Sequence, residues 1–196
     1  MERFIMQDLI AWKNREDRKP LILLGARQVG KTYILKEFGQ REFENVAYIN
    51  CDNNAMIKDL FATDYNIERI LLTIGAITGV NIQAGKTLII MDEIQELHRG
   101  LASLKYFCED AREYHVAVAG SLLGLTLHQG ESYPVGKVNT LEMFPMTYEE
   151  FLLARGFKQR VDLLQSGMWD VVNSLRTLYI QHLREYYLVG GMPEAV

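Results

Sequence analysis

Residues 25–32 of this 196-residue chain carry a pattern of residue types that can bind phosphate groups. The segment reads Gly-Ala-Arg-Gln-Val-Gly-Lys-Thr and fits G-x-x-x-x-G-K-[ST] at every fixed position. The two fixed glycines permit backbone angles that turn successive N–H groups towards an anion. Lys31 supplies a cation to the β- and γ-phosphates, and the hydroxyl of Thr32 can bind Mg²⁺. The pattern therefore predicts a loop that binds a nucleoside triphosphate.

The segments on both sides of this loop fit the same chemistry. Leu21–Leu24 are consecutive apolar residues that predict a buried strand before the loop, and Tyr33–Phe38 predict a helix after it. A helix that begins at the loop adds the positive end of its dipole to the phosphate site. Two interpretations of Arg27 stay open, because it either contacts a phosphate or a neighbouring acid, or is solvated. We assign the following residues to nucleotide binding: Gly25, Ala26, Arg27, Gln28, Val29, Gly30, Lys31, Thr32 and Tyr33.

Asp92 and Glu93 come directly after the apolar run Thr87–Met91, which predicts another buried strand. Ligands of open α/β sheets bind at the carboxyl ends of the strands, where these carboxylates are expected. Asp92 would hold Mg²⁺, directly or through water, and Glu93 would orient and deprotonate an attacking water. The alternative is a strand that ends at an acidic surface turn. We favour the catalytic interpretation, because carboxylates after a wholly apolar run are costly to bury without a cation.

A polar residue, Ser121, follows the apolar run Val116–Ala119. On a strand next to the acidic one, its hydroxyl could contact the γ-phosphate or the attacking water, which is the role of a sensor. The alternative is that Ser121 caps the next turn, as serines often do. We predict the sensor role. The predicted catalytic residues are thus Glu93, Lys31 and Ser121, and the predicted metal ligands are Thr32 and Asp92.

These residues need an α/β scaffold, and the chain shows the alternating pattern of one. Apolar runs of strand length alternate with longer segments of helical spacing, which predicts a parallel sheet covered by helices. The predicted strands are Leu21–Leu24, Val46–Ile49, Thr87–Met91, Val116–Ala119 and a weaker one near Val138–Phe144. The predicted helices are Phe4–Lys13, Thr32–Phe38, Asn54–Phe61, Ile67–Ile77 and Leu101–Arg112. We expect Trp12 to pack against the sheet rather than to stack on a base.

After Phe144 the pattern becomes helical throughout. Thr147 and Glu150 form a capping-box signature for a helix that continues to about Ala154. Apolar residues from Met168 to Tyr186 then keep helical spacing for several turns. We predict a P-loop core at residues 1–145 and a helical subdomain at 146–196, which would begin a larger C-terminal region. The tyrosines of the last helix are predicted to be packing residues; they are Tyr179, Tyr186 and Tyr187.

Composition narrows the class of protein. The formal net charge is -4, so no global basic field exists to hold a polyanion, and DNA binding stays open without support from charge. Cys51 and Cys108 have no second thiol nearby, which argues against a disulfide framework or a zinc site. The first residues lack the apolar segment of a signal peptide, and the longest apolar runs are too short to span a membrane. We therefore predict a cytoplasmic location and no membrane partner.

Several motifs, in order, resemble one family. Residues 25–32, Met-Asp-Glu-Ile-Gln-Glu-Leu at 91–97 and Ala-Gly-Ser-Leu-Leu-Gly at 119–124 are similar to motifs of prokaryotic AAA-type P-loop ATPases. The segments 144–151 and 187–194 look like later landmarks of that family. The resemblance implies a P-loop NTPase fold: a parallel five-stranded sheet in the order 5-1-4-3-2, flanked by helices, with a helical lid. It also implies that Gly25–Thr32 are Walker A, Asp92–Glu93 are Walker B and Ser121 is the first sensor. In that family a C-terminal domain of unknown function usually follows.

One position departs from the family pattern. Many relatives carry Gly-Arg before the fifth strand, where this chain has Gly136-Lys137. An arginine can clamp a γ-phosphate with two hydrogen bonds, whereas a lysine offers a point charge. Lys137 is either a nucleotide sensor or a solvated loop lysine, and both interpretations stay open.

The combined motifs predict Mg²⁺-dependent ATP hydrolysis that drives a conformational or assembly change in a partner system. The choice of ATP over GTP rests on the resemblance, and a homo-oligomer or a protein partner is compatible with it. The alternative is a slow nucleotide switch that uses the same residues. A small-molecule phosphotransferase is disfavoured because a water-activating Glu93 is counterproductive where water must be excluded. A GTPase is disfavoured because the chain has no Asn-Lys-x-Asp segment.

Overall fold

The computed structural model of the chain describes residues 2–52, 55–121 and 133–196. Its strands are β1 (Leu21–Gly25), β2 (Asn45–Asn50), β3 (Thr87–Asp92), β4 (His115–Ser121) and β5 (Asn139–Met143). They form one five-stranded sheet in the order β2-β3-β4-β1-β5, with every neighbouring pair parallel. The predicted order 5-1-4-3-2 is confirmed, since it is the same order counted from the other edge.

Helices connect the strands and follow the last one. They are α1 (Ile5–Lys13), α2 (Lys31–Glu42), α3 (Ala55–Thr63), α4 (Ile67–Thr78), α5 (Gly100–Asp110), α6 (Tyr148–Ala154), α7 (Lys158–Ser166), α8 (Trp169–Ser174) and α9 (Arg176–Val189). Two 3₁₀ turns are described, at Ile94–Glu96 and Pro193–Ala195. The helices predicted before residue 145 are present to within a few residues. Asn54, the predicted start of one of them, lies outside the described residues.

The sheet carries an apolar core on each face because its central strands are apolar at consecutive positions. Every residue of β3 and β4 is buried. On one face, Ile89 belongs to a cluster with Phe61 of α3 and Phe107 of α5. On the other face, its neighbour Leu88 belongs to a cluster with Trp12 of α1. Trp12 is 3% exposed, so its predicted packing against the sheet is confirmed.

The helices after residue 146 have an apolar cluster of their own. α6 begins at the predicted capping box, in which Thr147 Oγ1 accepts from Glu150 N–H at 3.2 Å and Glu150 Oε2 accepts from Thr147 N–H at 2.9 Å. The buried members of the cluster are Phe151, Leu152, Val161 and Tyr179. The amphipathic pattern of this region thus packs its helices against one another.

The helical spacing from Met168 to Tyr186 is divided between two helices, since α8 ends at Ser174 and α9 begins at Arg176. One expectation about these helices was wrong. Tyr187 is not a packing residue, because it is 74% exposed. Consecutive helical residues differ in direction by roughly 100°. Tyr186 points inward, and its hydroxyl donates to Met146 O at 2.8 Å. Tyr187, the next residue of the helix, therefore points towards solvent.

Among the described residues, the helices are too short or too polar for any of them to cross a lipid bilayer.

Candidate functional site

The predicted site residues come from strand ends that the sheet brings to one edge. In the register of the strands, Gly25 at the end of β1 lies opposite Ser121 of β4 and Met143 of β5. Asn50 at the end of β2 lies opposite Asp92 of β3. All of these are carboxyl ends, because every strand pair is parallel. The loop after β1 and the acids after β3 thus share the edge where ligands of open α/β sheets bind.

The two fixed glycines of the loop occupy positions where a side chain would clash or strain the backbone. A Cβ atom on Gly25 would lie 2.3 Å from the carbonyl oxygen of Met143, which no side chain tolerates without a backbone shift. Gly30 precedes α2 with φ at 94°, in the left-handed region that favours glycine. Between them, the side chain of Val29 is buried in the core and anchors the loop. Ala26, Arg27 and Gln28 are exposed, which leaves this part of the loop accessible to a ligand.

The ammonium group of Lys31 points back into its own loop. Its Nζ donates to Gly25 O at 2.9 Å and to Ala26 O at 2.7 Å. The residue is 8% exposed, and burial lowers the pKa of Lys31 below its usual 10.5, against the attraction of Glu93 and Asp92. A cation that is buried and held by two neutral carbonyls gains from an anionic partner. A phosphate in the loop is such a partner.

Thr32, on the first turn of α2, meets the carboxylate at the end of β3. Its Oγ1 donates to Asp92 Oδ2 at 2.6 Å, and the hydroxyl of Tyr48 on β2 donates to the same oxygen at 3.2 Å. The other oxygen, Oδ1, accepts from the Glu93 N–H at 3.1 Å. Asp92 is 4% exposed, so its charge is stabilised by three donors in place of water.

These oxygens suit Mg²⁺. The ion prefers hard oxygen ligands and is usually bound by one or two protein groups together with water and substrate phosphates. Thr32 and Asp92 would hold it, because their oxygens already meet at the edge of the loop. The described residues contain no group of three or more His, Cys, Asp or Glu side chains that could hold a metal by themselves. An ion at this site would therefore depend on the ligand phosphates.

Glu93 stands at the point where the chain leaves β3. Its backbone is left-handed, with φ at 53°, which turns the chain sharply into the 3₁₀ turn Ile94–Glu96. Its carboxylate accepts a hydrogen bond from the side-chain amide of Gln95. Gln95 is 6% exposed, and its Oε1 has no hydrogen-bond partner among the residues that the structure describes. The predicted base is thus held by Gln95, a neighbour that no sequence pattern marks as part of the site.

The two candidate sensors lie at different ends of the sheet. Ser121, the last residue of β4, is 8% exposed and directly opposite Gly25. Lys137 precedes β5, whose first residue pairs with Leu21 at the amino end of β1. Its Nζ lies 2.7 Å from Glu109 Oε1, in an ion pair at the edge away from the loop. This position favours the interpretation of Lys137 as a surface lysine.

A cavity of about 550 Å³ opens beside the loop. Its lining includes Gln28, Gly30, Thr32 and the half-exposed Tyr33, together with Arg3, Met143, Pro193 and Glu194. The volume lies within the range of small-molecule sites. Arg3, Pro193 and Glu194 were missed from the sequence, since they are far from the loop along the chain. The turn signal at 190–193 was the available clue to the last two.

The turn at 190–193 reaches the loop because glycine lets it pack closely. The N–H of Met146 donates to Gly191 O at 2.7 Å. A Cβ on Gly191 would lie 2.4 Å from Met146 O, so a side chain at this position would force the two segments apart. Pro193 lies against the loop, with its Cγ 3.6 Å from the position of a Cβ on Gly30. The end of the described chain thus forms one wall of the cavity.

Comparison with known proteins gives one family match. The model of a family described as AAA domain matches residues 17–152, which is more than half of the chain. Similar solved structures include the Orc1 protein of Aeropyrum pernix in complex with DNA and Cdc6p from Pyrobaculum aerophilum. The Orc1 structure is 14% identical with a TM-score of 0.48, and the match covers 78% of this chain and 47% of that one. The Cdc6p structure is 16% identical with a TM-score of 0.48, and the match covers 76% of this chain and 48% of that one. The chain thus spans about half the length of both, and a comparison with curated proteins finds no match.

Proposed function

The chain belongs to the AAA domain family, whose proteins are of the nucleotide-binding ATPase type, and on this premise we propose that it binds ATP with Mg²⁺ at residues 25–33 and hydrolyses the β–γ bond. The observation that carries the proposal is the meeting of Lys31, Thr32 and Asp92 at one edge of the sheet, with Thr32 Oγ1 2.6 Å from Asp92 Oδ2. A cation, a hydroxyl and a carboxylate in this arrangement match what a triphosphate with its metal ion requires.

Binding uses groups of the loop and of the strand ends beside it. The loop N–H groups and the start of α2 surround the phosphates, and the Lys31 ammonium leaves the carbonyls of Gly25 and Ala26 to pair with them. Thr32 and Asp92 would hold Mg²⁺, which would neutralise part of the phosphate charge. The cavity lined by Tyr33 and Pro193 is large enough for the nucleoside. ATP rather than GTP is proposed because of the family.

Hydrolysis uses the residues at the ends of β3 and β4. Glu93 orients a water molecule and accepts its proton, and Ser121 contacts the γ-phosphate or that water. The positions of the two residues support these roles, since Ser121 lies opposite Gly25 and Glu93 follows the proposed metal ligand Asp92. We also propose that residues 1–145 are the ATPase core and 146–196 a helical lid, which the separate apolar cluster around Phe151 supports. The cycle would change the conformation or assembly of a partner.

The test separates binding from turnover. Glu93→Gln keeps the size of the side chain and removes the base, so it should bind ATP as the wild type does and lose at least about a hundredfold in turnover rate. ATP binding is measured by calorimetry with Mg²⁺, and turnover by phosphate release. Turnover that survives Glu93→Gln would rule out Glu93 as the base.

A second candidate is a slow nucleotide switch with little turnover. It is favoured by the hydrogen bond from Gln95 to the Glu93 carboxylate, because a base that is already paired is less available to water. Steady-state turnover close to the detection limit, together with tight ATP binding, would support the switch. Sustained turnover by the isolated chain would support the ATPase.

A further inference from the structure

Arg3, close to the start of the chain, is buried where three parts of the fold meet. It is 7% exposed, although arginine is rarely buried to this extent unless its charge is paired. Its guanidinium lies between the phosphate loop, the end of β5 and helix α6. On the basis of the proposed function, we infer that Arg3 is a positioning residue that couples nucleotide binding in the loop to the helices after residue 146.

The contacts of Arg3 join the loop to the rest of the fold. Its Nη1 donates to the carbonyl of Val29, the residue before Gly30, at 3.0 Å. Its Nη2 donates to the carbonyl of Phe144, directly after β5, at 2.7 Å. One planar group thereby fixes the distance between the loop and the segment that leads into α6. A shift of the loop when phosphates bind would move the Val29 carbonyl and with it this guanidinium.

The acidic partner of Arg3 sits on the first turn of α6. Glu150 Oε1 lies 3.1 Å from Arg3 Nε, and both side chains are 5% exposed. The same Oε1 accepts from the Phe4 N–H at 2.7 Å, while Oε2 caps α6 through Thr147. Glu150 therefore ties the position of α6 to the residues around Arg3. An ion pair removed from solvent in this way is sensitive to geometry, because neither charge has water to replace its partner.

The ion pair between Arg3 and Glu150 is close but not fully aligned. Although Nε is within ion-pair distance of Glu150, its N–H makes no hydrogen bond to any residue that the structure describes. Arg3 also lines the cavity beside the loop, with Nη1 4.0 Å from the position of a Cβ on Gly30. A movement of the loop that shifts the Val29 carbonyl would change the alignment of Nε with the carboxylate. Because such coupling is reciprocal, docking of the last helices must then favour nucleotide binding by the same factor.

The experiment uses Arg3→Lys in the whole chain. Lysine keeps the charge that Glu150 needs, but its single ammonium does not hold two carbonyls and a carboxylate in one plane. We expect the variant to bind Mg-ATP about tenfold more weakly, within the range of typical coupling between sites. We also expect ATP to protect the amides of residues 146–196 from hydrogen exchange in the wild type and to lose this effect in the variant.

Arg18→Lys is the matched control. Arg18 is also buried and donates to two backbone carbonyls, Tyr114 O at 3.1 Å and Arg112 O at 2.6 Å, at the opposite edge of the sheet. The Arg18→Lys variant should keep both the affinity for ATP and the ATP-dependent protection of residues 146–196. A loss of that response in Arg18→Lys equal to the loss in Arg3→Lys would overturn the inference, because a general loss of packing would then explain both.

The remaining outcomes are also decisive. A wild-type chain that binds no ATP contradicts the proposed function, whereas one that binds ATP without protecting residues 146–196 contradicts the coupling and leaves the proposed function standing. Wild-type behaviour of Arg3→Lys in both measurements refutes the role of Arg3. If Arg3→Lys does not fold, Glu150→Gln decides, since it leaves the carbonyl contacts of Arg3 in place. Loss of ATP-dependent protection supports the inference, and its retention refutes it.

Discussion

Removal of the Tyr48 hydroxyl tests how the proposed metal ligand is positioned. In Tyr48→Phe the ring stays, and with it the contact to Lys36, whose Nζ lies 3.4 Å from the ring centroid. The change deletes the O–H that donates to Asp92 Oδ2 at 3.2 Å. Burial, followed by the charge of Asp92, raises the pKa of Tyr48 to about 12, so the hydroxyl keeps its proton and can donate at neutral pH.

The size of the effect follows from the geometry. A hydrogen bond to a charged group contributes about 1.5–3 kcal/mol, and the 3.2 Å distance places this one at the lower end. Thr32 and the Glu93 N–H remain as donors to the Asp92 carboxylate, which stays hydrogen-bonded but loses part of its orientation. Loss of a group that orients a metal ligand typically lowers metal affinity 10- to 100-fold. We expect about a tenfold rise in the Mg²⁺ concentration needed for ATP binding.

ATP binding is measured by calorimetry at increasing Mg²⁺ concentrations, and binding in excess chelator is the reference. Binding without metal should be unchanged in Tyr48→Phe, because the loop and Lys31 are not altered. Tyr148→Phe is the control, since it also deletes one hydroxyl donor, to Tyr179 O at 2.8 Å in the last helices. An unshifted Mg²⁺ midpoint in Tyr48→Phe, or an equal shift in Tyr148→Phe, would show that the Tyr48 hydroxyl does not position Asp92 for the metal.

Three further predictions concern the loop, the core and the base. Gly25→Ala should lower the free energy of unfolding by about 2 kcal/mol and abolish ATP binding, because its Cβ would lie 2.3 Å from Met143 O. Urea unfolding measures the loss of stability, and calorimetry measures the loss of ATP binding. Burial, helped by nearby cations, lowers the pKa of His115 to about 4, so the unfolded chain takes up a proton below pH 6.5 that the folded chain does not. Stability should therefore fall between pH 6.5 and 4, by at most about 1.4 kcal/mol per pH unit, and urea unfolding of His115→Phe should show a flatter profile. Gln95→Met should raise turnover roughly tenfold in a phosphate-release assay, because it frees Glu93, without a loss of stability.

Each of these predictions has a result that contradicts it. Gly136→Ala also places a side chain at positive φ but meets no atom within 4 Å, so an equal loss in both glycine variants would remove the clash at Gly25 as the cause. A pH profile of His115→Phe as steep as that of the wild type would assign the acid sensitivity to other groups. A fall in turnover in Gln95→Met would mean that Gln95 helps Glu93 rather than restrains it.

The sequence predicts the fold and part of the candidate site because both depend on short-range patterns. The strand order follows from family resemblance, and the strands themselves follow from consecutive apolar residues such as those of β3. The loop at 25–32 and the acids at its edge are recognisable because their chemistry requires fixed residue types at fixed spacing. The meeting of Thr32 with Asp92 then follows from the strand order, since only β4 separates β1 from β3 and all three strands end at the same edge.

Other features arise from packing between distant segments, which local patterns do not encode. Arg3 looks like an ordinary charged residue before the first helix, and its burial depends on Glu150, which is far along the chain. Pro193 reads as a turn signal, and its place beside the loop depends on the close approach of Gly191 to Met146. Tyr187 was misassigned because helical periodicity does not indicate which side of a helix meets another helix.

Calorimetry of ATP with Mg²⁺ against the wild-type chain and Lys31→Ala tests whether the loop binds a nucleotide. We expect one site per chain in the wild type and no measurable binding in the variant, because the Lys31 ammonium is the buried cation that pairs with the phosphates. Absence of binding in the wild type, or equal affinity in the variant, would show that residues 25–32 are not a nucleotide site.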